Sequence, residues 1–238
     1  MDKLGPTART KVRRLPKRAH YDRDVVNEVL DAGFICHIGY VIDGQPYVTP
    51  TAYWREGGHV YWHGSSASRM LRAQTSGIPV CLTVTHIDGL VMARSAFHHS
   101  LNYRSVMAFG TASIIDEPNA KEAAMRAFVE RLYPGRWDGL RPVNKQEFKA
   151  TTILGMELTE ASAKIRTGNP VDDDEDYALP IWAGVIGLKT LVAGVGDDGK
   201  LAPSTAKPAH LASFAKDADF GALLKRYGES RRGDRRSP

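Results

Sequence analysis

The sequence predicts a mainly β protein, an antiparallel β-barrel with flanking helices that occupies residues 21–190. Two observations support this fold class. Six or more short β-rich runs follow one another with few helices between them, which favours hairpin-linked strands over a parallel sheet. Asp43-Gly44 separates two of these runs, and an Asp-Gly pair is the strongest short-range hairpin signal because both turn residues need positive φ.

The first elements follow from the hydrophobic period. A short helix is expected over 22–33, where four apolar residues share one face and a glycine ends the helix: Val25, Val26, Val29, Leu30 and Gly33. Strands are expected at 34–42 and 46–54, and Gly57-Gly58 turns the chain into a third strand at 59–63. Pro50 should mark an edge or bulge of the second strand, since it cannot donate to a ladder.

The middle of the chain continues this pattern. A helix is predicted over 65–76, with Ser65, Ser66 or Ser68 as its N-cap and Gly77-Ile78-Pro79 as its end. Strands at 79–87 and 90–97 are expected to be joined by a turn at Asp88-Gly89. A polar loop at 98–104 then leads into a strand at 105–115.

The last predicted elements begin with a helix that Pro118 opens, since proline suits the first helical turn. Its buried stripe is expected to be Met125, Phe128, Val129 and Leu132. A helical turn at 145–150 precedes a strand pair or bulged strand within 151–166. An acidic turn-like stretch and an apolar run at 180–188 follow, and residues 191–238 are assigned little structure.

Charge and composition restrict the function classes. The formal net charge is +5, and much of the excess lies at 9–18 and 225–236. Residues 1–20 are predicted to be a basic, disordered tail. Nucleic-acid binding is disfavoured because no aromatic interleaving or known motif accompanies the basic runs. No apolar run approaches the roughly 20 residues that a bilayer requires, so no membrane role is expected. Two isolated cysteines, Cys36 and Cys81, suggest buried free thiols and a reducing cytoplasm.

Two polar clusters at strand ends are candidate binding residues. In the first, serines at a helix start adjoin Arg69, which is typical of a phosphate cradle and equally of an ordinary capped helix with a solvent-facing arginine. In the second, Arg104 and Ser105 enter a strand, where a guanidinium could pair with a phosphate or simply face solvent. The central hypothesis is that Arg69 and Arg104 converge on one dianionic group.

Several other classes of site are disfavoured. No metal-ligand motif accompanies the eight histidines, and the adjacent His98 and His99 would point to opposite faces of a strand. No nucleophile elbow, Gly-rich dinucleotide loop or P-loop is present. His63 ends a strand just before the serine-rich turn, so it is either a ligand contact or a hydrogen-bonded structural histidine.

Three blocks of the sequence resemble the flavin-nucleotide-binding branch of the pyridoxamine 5′-phosphate oxidase-like proteins. They are VYWHGSSASRMLRAQ, PVCLTVTHIDGLVMARSAFHHSLNYRSVMAFGTA and SAKIRTGNPVDDDEDYALPIWAGVIGL, and the match covers roughly residues 20–190. The resemblance implies a split β-barrel that binds FMN, as a homodimer with the flavin at the subunit interface. A small-molecule substrate is implied as the partner of the flavin.

The resemblance also implies roles for individual residues. The phosphate is expected to meet Ser68, Arg69, Arg104 and Ser105. The isoalloxazine is expected along Val48, Thr49, Pro50 and Thr51 and near His63, Gly64 and Ser65. Second contacts, possible from the partner subunit, are expected from Lys164, Arg166 and Trp182. Without a flavin, the same three residues would form a surface salt-bridge set with Trp182 in the core.

Two departures argue against oxidation of pyridoxamine phosphate. Met70 follows Arg69 where the oxidase has an Arg-Lys pair, and the C-terminal Arg-x-His of the oxidase is not evident. The expected function is therefore an FMN-dependent oxidoreductase of unspecified substrate, whose chemistry belongs to the flavin and needs no side-chain acid or base. Alternatives are a non-catalytic flavin-binding module, an F420-binding relative, or a haem-binding relative with His63, His98 or His99 as axial ligand.

Overall fold

A computed structural model describes residues 2–234 of the chain. All strands in this part of the chain join one antiparallel sheet in the order β1-β9-β6-β5-β2-β3-β4-β8-β7, and β10 pairs with the end of β5. The strands are β1 (Ala19–His20), β2 (Ile35–Ile42), β3 (Gln45–Glu56), β4 (His59–Ser65), β5 (Pro79–Met92), β6 (Ser100–Thr111), β7 (Ser113–Ile114), β8 (Thr151–Glu157), β9 (Glu160–Arg166) and β10 (Gly184–Gly187).

The sheet curls around one apolar core, and helices flank it. The helices are α1 (Arg23–Asp31), α2 (Arg69–Thr75), α3 (Pro118–Leu132), α4 (Lys145–Ala150) and α5 (Phe220–Asp234). Fully buried side chains from α1, α2 and both ends of the sheet fill the interior, among them Leu30, Ile38, Trp62, Leu71 and Leu82. This arrangement confirms the mainly β fold with flanking helices and the split barrel that the resemblance implied.

The turn signals in the first half of the chain are confirmed. Asp43 and Gly44 have φ angles of 50° and 77°, as a tight hairpin between β2 and β3 requires. Gly57, with φ of 56°, turns β3 into β4. Pro50 lies opposite His37 of β2, but among the described residues it has no neighbour on its other side because β4 pairs with β3 only from Tyr53 onward. The proline therefore lies at an open strand edge, as expected.

The predicted turn at Asp88-Gly89 is wrong. β5 runs unbroken through this pair, and the register with β6 shifts between Ile87 and Gly89, so Asp88 is the extra residue of a β-bulge. A bulge bends one strand without reversing it. A glycine at position 89 lets β10 approach β5 closely, since a Cβ there would lie 2.9 Å from the carbonyl oxygen of Ile186 on β10.

A second apolar layer lies between the outer face of β3, β4 and β8 and helix α3. Trp54 and Ile153 are each about 1% exposed there. Trp54 stacks on Tyr61 at 5.6 Å and meets Phe128 of α3 at 5.3 Å. Helix α3 starts at Pro118 as predicted, but its predicted apolar stripe is only half-buried, and its one fully buried side chain is Arg131.

The terminal segments pack onto the barrel, which corrects two expectations. Residues 2–20 do not form a free tail, because Leu4 is 1% exposed in the core and Leu4 N donates to Tyr21 O. At the other end, 191–208 has little regular structure, but α5 follows and buries Leu223 and Leu224. The predicted basic run 225–236 extends past the described residues.

Candidate functional site

The predicted site residues form two groups, with strands β5 and β2 between them. We call the first group the β3 patch; it comprises Val48, Thr49, Pro50, Thr51, His63, Gly64, Ser65, Ser68 and Arg69. We call the second group the β6 patch; it comprises Arg104, Ser105, Lys164, Arg166 and Trp182. The two groups differ in how many hydrogen bonds and ion pairs their arginine side chains form within the chain.

Strand β3 presents alternate side chains to opposite faces of the sheet. Val48 is 68% exposed and Pro50 is also exposed, so both lie on the outward face. The Thr49 hydroxyl lies 3.0 Å from the Tyr40 hydroxyl inside the barrel, and Thr51 pairs with the buried Cys36. The outward face and the open edge of β3 can therefore receive a flat ligand, which would contact Val48, Pro50 and backbone atoms rather than the two threonine side chains.

Helix α2 begins beside this strand. Ser68 is its N-cap residue, although the hydroxyl makes no cap hydrogen bond; instead Ser65 Oγ accepts from Ala67 N at 3.2 Å. The Arg69 guanidinium lies 4.5 Å from the centroid of the Tyr47 ring. Among residues 2–228, no carboxylate lies in salt-bridge range of Arg69, so within that part of the chain its charge is available to an anion.

His63 lies on the far side of β4 from the barrel interior. Its ring packs 4.5 Å from Phe128 and 5.9 Å from Trp54, in the layer under α3. Burial lowers the pKa of His63, and its Nδ1 has no hydrogen-bond partner in the described part of the chain. The ring is packed as a structural residue would be, but within these residues Nδ1 lacks the hydrogen bond that the structural interpretation expected. The neighbouring Gly64 allows α2 to pack closely against β4, since a Cβ there would lie 3.0 Å from Leu71 Cδ1.

Arg104 has a carboxylate partner in its own chain. Its Nε and Nη2 donate to the two oxygens of Asp88, at 2.9 and 2.7 Å, and this bidentate bond raises the pKa of Arg104. Asp88 reaches the guanidinium because the bulge turns it out of the regular β5 alternation. Arg104 also lines a groove of about 1040 Å³ between α1 and α5. Arg104 is therefore a partly exposed arginine held in an ion pair by its own chain.

The two arginines of one chain lie far apart. Arg104 is opposite His86 on β5, whereas Arg69 lies over Tyr47, which is opposite Tyr40 on β2. In the β2–β5 register, Tyr40 on β2 is level with Val80 on β5, which is six residues from His86. At the rise per residue of a strand, the position beside Arg69 is therefore about 20 Å from the position beside Arg104 along the strand direction. The prediction that Arg69 and Arg104 of one chain converge on a single phosphate is therefore wrong.

The remaining β6-patch residues differ in exposure. Arg166 is 7% exposed and donates to Asn102 Oδ1 and to the carbonyls of Gly168 and Asn169, both at 3.4 Å, so it is a buried scaffold residue rather than part of a surface salt-bridge set. Ser105 Oγ donates to the Lys164 carbonyl at 3.3 Å. The Lys164 side chain is half-buried.

Trp182 is 66% exposed, so its expected place in the core is wrong. Its ring occupies the space above Gly184, where a Cβ would lie 2.8 Å from Trp182 Cη2. The aromatic ring therefore lies flat against the start of β10. The exposure leaves one face of the indole open for a ligand or a partner.

Sequence reasoning missed two residues of these patches. Tyr47 supports Arg69, and the only signal was an aromatic residue on the predicted strand two positions before the candidate Thr49. Asp88 holds Arg104, but its Asp-Gly context indicated a turn. Among residues 2–234 no cluster of three or more metal-ligating side chains occurs, and no helix there is long and apolar enough to cross a bilayer.

The fold and the two patches define a split-barrel protein with an open strand edge beside an arginine that has no carboxylate partner in the part of the chain whose side chains the structure describes. The family model for pyridoxamine 5′-phosphate oxidase matches residues 22–165. The chain therefore belongs to the pyridoxamine 5′-phosphate oxidase-like family, as the sequence blocks indicated. A search of curated proteins finds no match.

Solved structures extend the similarity beyond the family model. The flavocytochrome Anf3 from Azotobacter vinelandii is 44% identical, with a TM-score of 0.84, over 88% of this chain and 98% of that chain. The FAD and heme binding protein from Mycobacterium smegmatis is 33% identical, with a TM-score of 0.80, over 85% of this chain and 99% of that chain. The conserved hypothetical protein Rv2991 from Mycobacterium tuberculosis, 14% identical with a TM-score of 0.52, shares the fold over 66% of this chain and 96% of that chain.

Proposed function

We propose that this protein is a flavin- and haem-binding electron-transfer protein that works as a homodimer. The observation that carries the proposal is the similarity, over at least 85% of the chain, to two proteins described as a flavocytochrome and as an FAD and heme binding protein. That similarity includes segments outside residues 22–165, so it is not limited to the barrel that many family members share.

The flavin site is formed by the β3 patch of one chain and the β6 patch of a second chain. The β3 patch supplies an open strand edge and Arg69, which fit a planar ring and a phosphate. Lys164 lies on the same sheet but four strands from β3, so it can reach this site only from another copy. A cation there would stabilise the negative charge that a reduced flavin gathers.

The outward face of the sheet supports association with a second copy. Five apolar side chains on neighbouring strands are each at least 43% exposed there: Ile35, Val41, Val48, Ile87 and Met107. Exposed apolar residues on one sheet face, here interspersed with His37, Thr83 and Thr85, favour an interface with another chain. Its position between the two patches would bring the β3 patch of one chain toward the β6 patch of the other.

FAD is favoured over FMN as the flavin. The two proteins with 44% and 33% identity are described with a cytochrome and with FAD, respectively, and neither with FMN. Within one chain, the failure of Arg69 and Arg104 to converge also removes the main argument for a single terminal phosphate. A flavin accepts two electrons as hydride and releases them singly, so a haem is a suitable acceptor for it.

The direct test is to purify the full chain, record its spectrum and identify the released cofactors by mass spectrometry. We expect flavin absorption, a Soret band once hemin is supplied, and released FAD. Reduction of bound haem by a nicotinamide hydride donor would support electron transfer. Release of FMN alone, with no hemin binding, would overturn the proposal in favour of the simpler oxidoreductase, and flavin that no reductant reduces would indicate a storage or sensing module.

A further inference from the structure

An apolar surface lies where the end of β5 pairs with β10 on one side and with β6 on the other; we call it the β10 patch. Leu90, Met92, Leu101 and Ile186 point to one face of these strands and are 36–46% exposed. The ladder pairs Leu90 with Leu101 on one side and with Ile186 on the other, so the side chains form a continuous surface. The exposed ring of Trp182 extends it over Gly184, which is opposite Met92.

A single imidazole borders this surface. Ser100, the first residue of β6, pairs with Val91, so His99 precedes the strand at the end of the patch that carries Met92. His99 is exposed, and its Nδ1 lies 2.8 Å from the carbonyl oxygen of Ser95. A carbonyl can only accept a hydrogen bond, so Nδ1 carries the proton and Nε2 keeps its lone pair. A histidine that donates through Nδ1 to a carbonyl is oriented for metal ligation through Nε2.

The other histidines considered as axial ligands are placed less well. His63 is packed between Phe128 and Trp54 under α3, away from any open face. His98 directs Nε2 toward an Asp173 oxygen at 3.3 Å, so the nitrogen that would bind iron faces a carboxylate instead. Of these three, only His99 combines an oriented ring with an adjoining apolar surface.

The occupant that fits this combination is a haem rather than a second protein chain. An apolar plate of aliphatic and aromatic side chains suits a porphyrin face, and an oriented imidazole at its edge suits the iron. Trp182 and Ile186 come from the segment beyond residue 165, which lies outside the family model. The two flavin and haem proteins match 85–88% of this chain and so share much of that added segment.

We propose that His99 is an axial ligand of a haem that lies against the β10 patch. This assignment rests on the proposed function, because it presupposes that the chain binds haem. It adds the position of the haem on the sheet, the ligand atom Nε2, and the reason that the segment after β9 is needed.

The test is a hemin titration of the full-length protein, followed by its absorption and electron paramagnetic resonance spectra. We expect His99→Ala to weaken hemin binding about tenfold or more and to change the iron spin state. Added imidazole should restore the wild-type spectrum in this variant, which a merely structural role would not explain. The control is His98→Ala, which should titrate like the wild type.

A second variant tests the surface independently. Ile186→Gln should weaken hemin binding about threefold, because it removes apolar contact area from the patch. Its matched control is Ile114→Gln, since Ile114 is also 46% exposed but lies on β7. Circular dichroism confirms that each variant is folded.

The outcomes separate the two proposals. If the wild-type protein binds no hemin, both the haem function and this site are overturned. If the wild type binds hemin while His99→Ala binds it with the same affinity and spectrum, the function stands and the His99 assignment is wrong. Weakening by Ile114→Gln equal to that by Ile186→Gln would likewise overturn the β10 patch as the haem surface.

Discussion

In the β3 patch, Arg69 lies over the Tyr47 ring and has no carboxylate partner among residues 2–228. In the β6 patch, both arginines are already occupied: Arg104 by the two oxygens of Asp88, and Arg166 by Asn102 and two backbone carbonyls. A guanidinium already bonded to a carboxylate or to carbonyls of its own chain has fewer donors left for a phosphate. Arg69 at the start of α2 and Arg104 within β6 therefore have different roles in the two patches.

Because the arginines of the two patches differ in their bonding, we expect the patches to differ in function. The β3 patch is an open surface with an available positive charge, so it is suited to hold a cofactor phosphate. The β6 patch is mostly an internally bonded scaffold that leaves Lys164 and Trp182 to face outward. The comparison predicts that substitution of the internally bonded Arg104 or Arg166 reduces stability, whereas substitution of Arg69, or of the outward-facing Lys164, reduces flavin affinity.

The largest effect is expected from Arg166→Met. The change removes a buried guanidinium and leaves the Asn102 oxygen and the Asn169 carbonyl without their Arg166 donor, while the Gly168 carbonyl keeps its bond from Asn102 Nδ2; the cost is about 2–3 kcal/mol. Urea unfolding of the flavin-free protein measures the loss. Lys164→Met, on the same strand but half-buried, is the control and should change stability much less. Equal stability of Arg166→Met and the wild type would contradict the scaffold role.

Arg69→Ala should give the next largest effect, on flavin affinity instead of stability. Loss of a charged hydrogen bond to a phosphate costs about 1.5–3 kcal/mol, which corresponds to a dissociation constant about ten- to a hundredfold higher. Fluorescence titration of the apoprotein with flavin measures it. Arg72→Ala, on the same helix, is the control. Flavin affinity unchanged by Arg69→Ala would refute the β3 patch as the phosphate site.

Arg104→Ala should have a smaller effect, and on stability alone. Its pair with Asp88 is about one-third exposed on each side, so solvent screening limits the loss to about 1 kcal/mol. Flavin affinity should match that of the wild type. Loss of most bound flavin in this variant would restore the two-arginine phosphate site that the strand register excludes.

The smallest effect is the pH dependence from His63. Burial lowers its pKa, so the folded state keeps His63 neutral while an unfolded histidine takes up a proton near pH 6.5. Stability is therefore full above about pH 6.5 and falls as the pH drops below it. His63→Leu should reduce the shift in urea midpoint between pH 7.5 and 5.5 and leave flavin affinity unchanged. A pH response identical to that of the wild type would show that His63 titrates normally in the folded protein.

Local signals in the sequence predicted much of the fold. Asp43-Gly44 specified a hairpin because both residues must take positive φ, and Pro118 opened α3 because a first-turn proline loses no hydrogen bond. The same logic failed at Asp88-Gly89, where a bulge absorbs the extra residue. A two-residue pattern does not distinguish a bulge from a turn, since the outcome depends on how β6 and β10 pair with β5.

The site was harder to predict than the fold because it depends on strand register. The sequence identified Arg69 and Arg104 as candidate cations, but their separation follows from the pairing of β2 with β5, which no local motif encodes. The packing of Leu4 and of α5 was missed for a similar reason. Each segment is polar on average, and only the few apolar residues that meet the core decide its position.

The central claim is that one flavin site takes its β3 patch from one chain and its β6 patch from another. Coexpression of Arg69→Ala with Lys164→Ala, each with its own affinity tag, tests it most directly. Each homodimer should bind flavin poorly, while the purified mixed dimer has one site with both patches intact and should bind one flavin with wild-type affinity. A mixed dimer that binds flavin as poorly as the two homodimers would contradict the claim, because it would place both patches' contributions within a single chain.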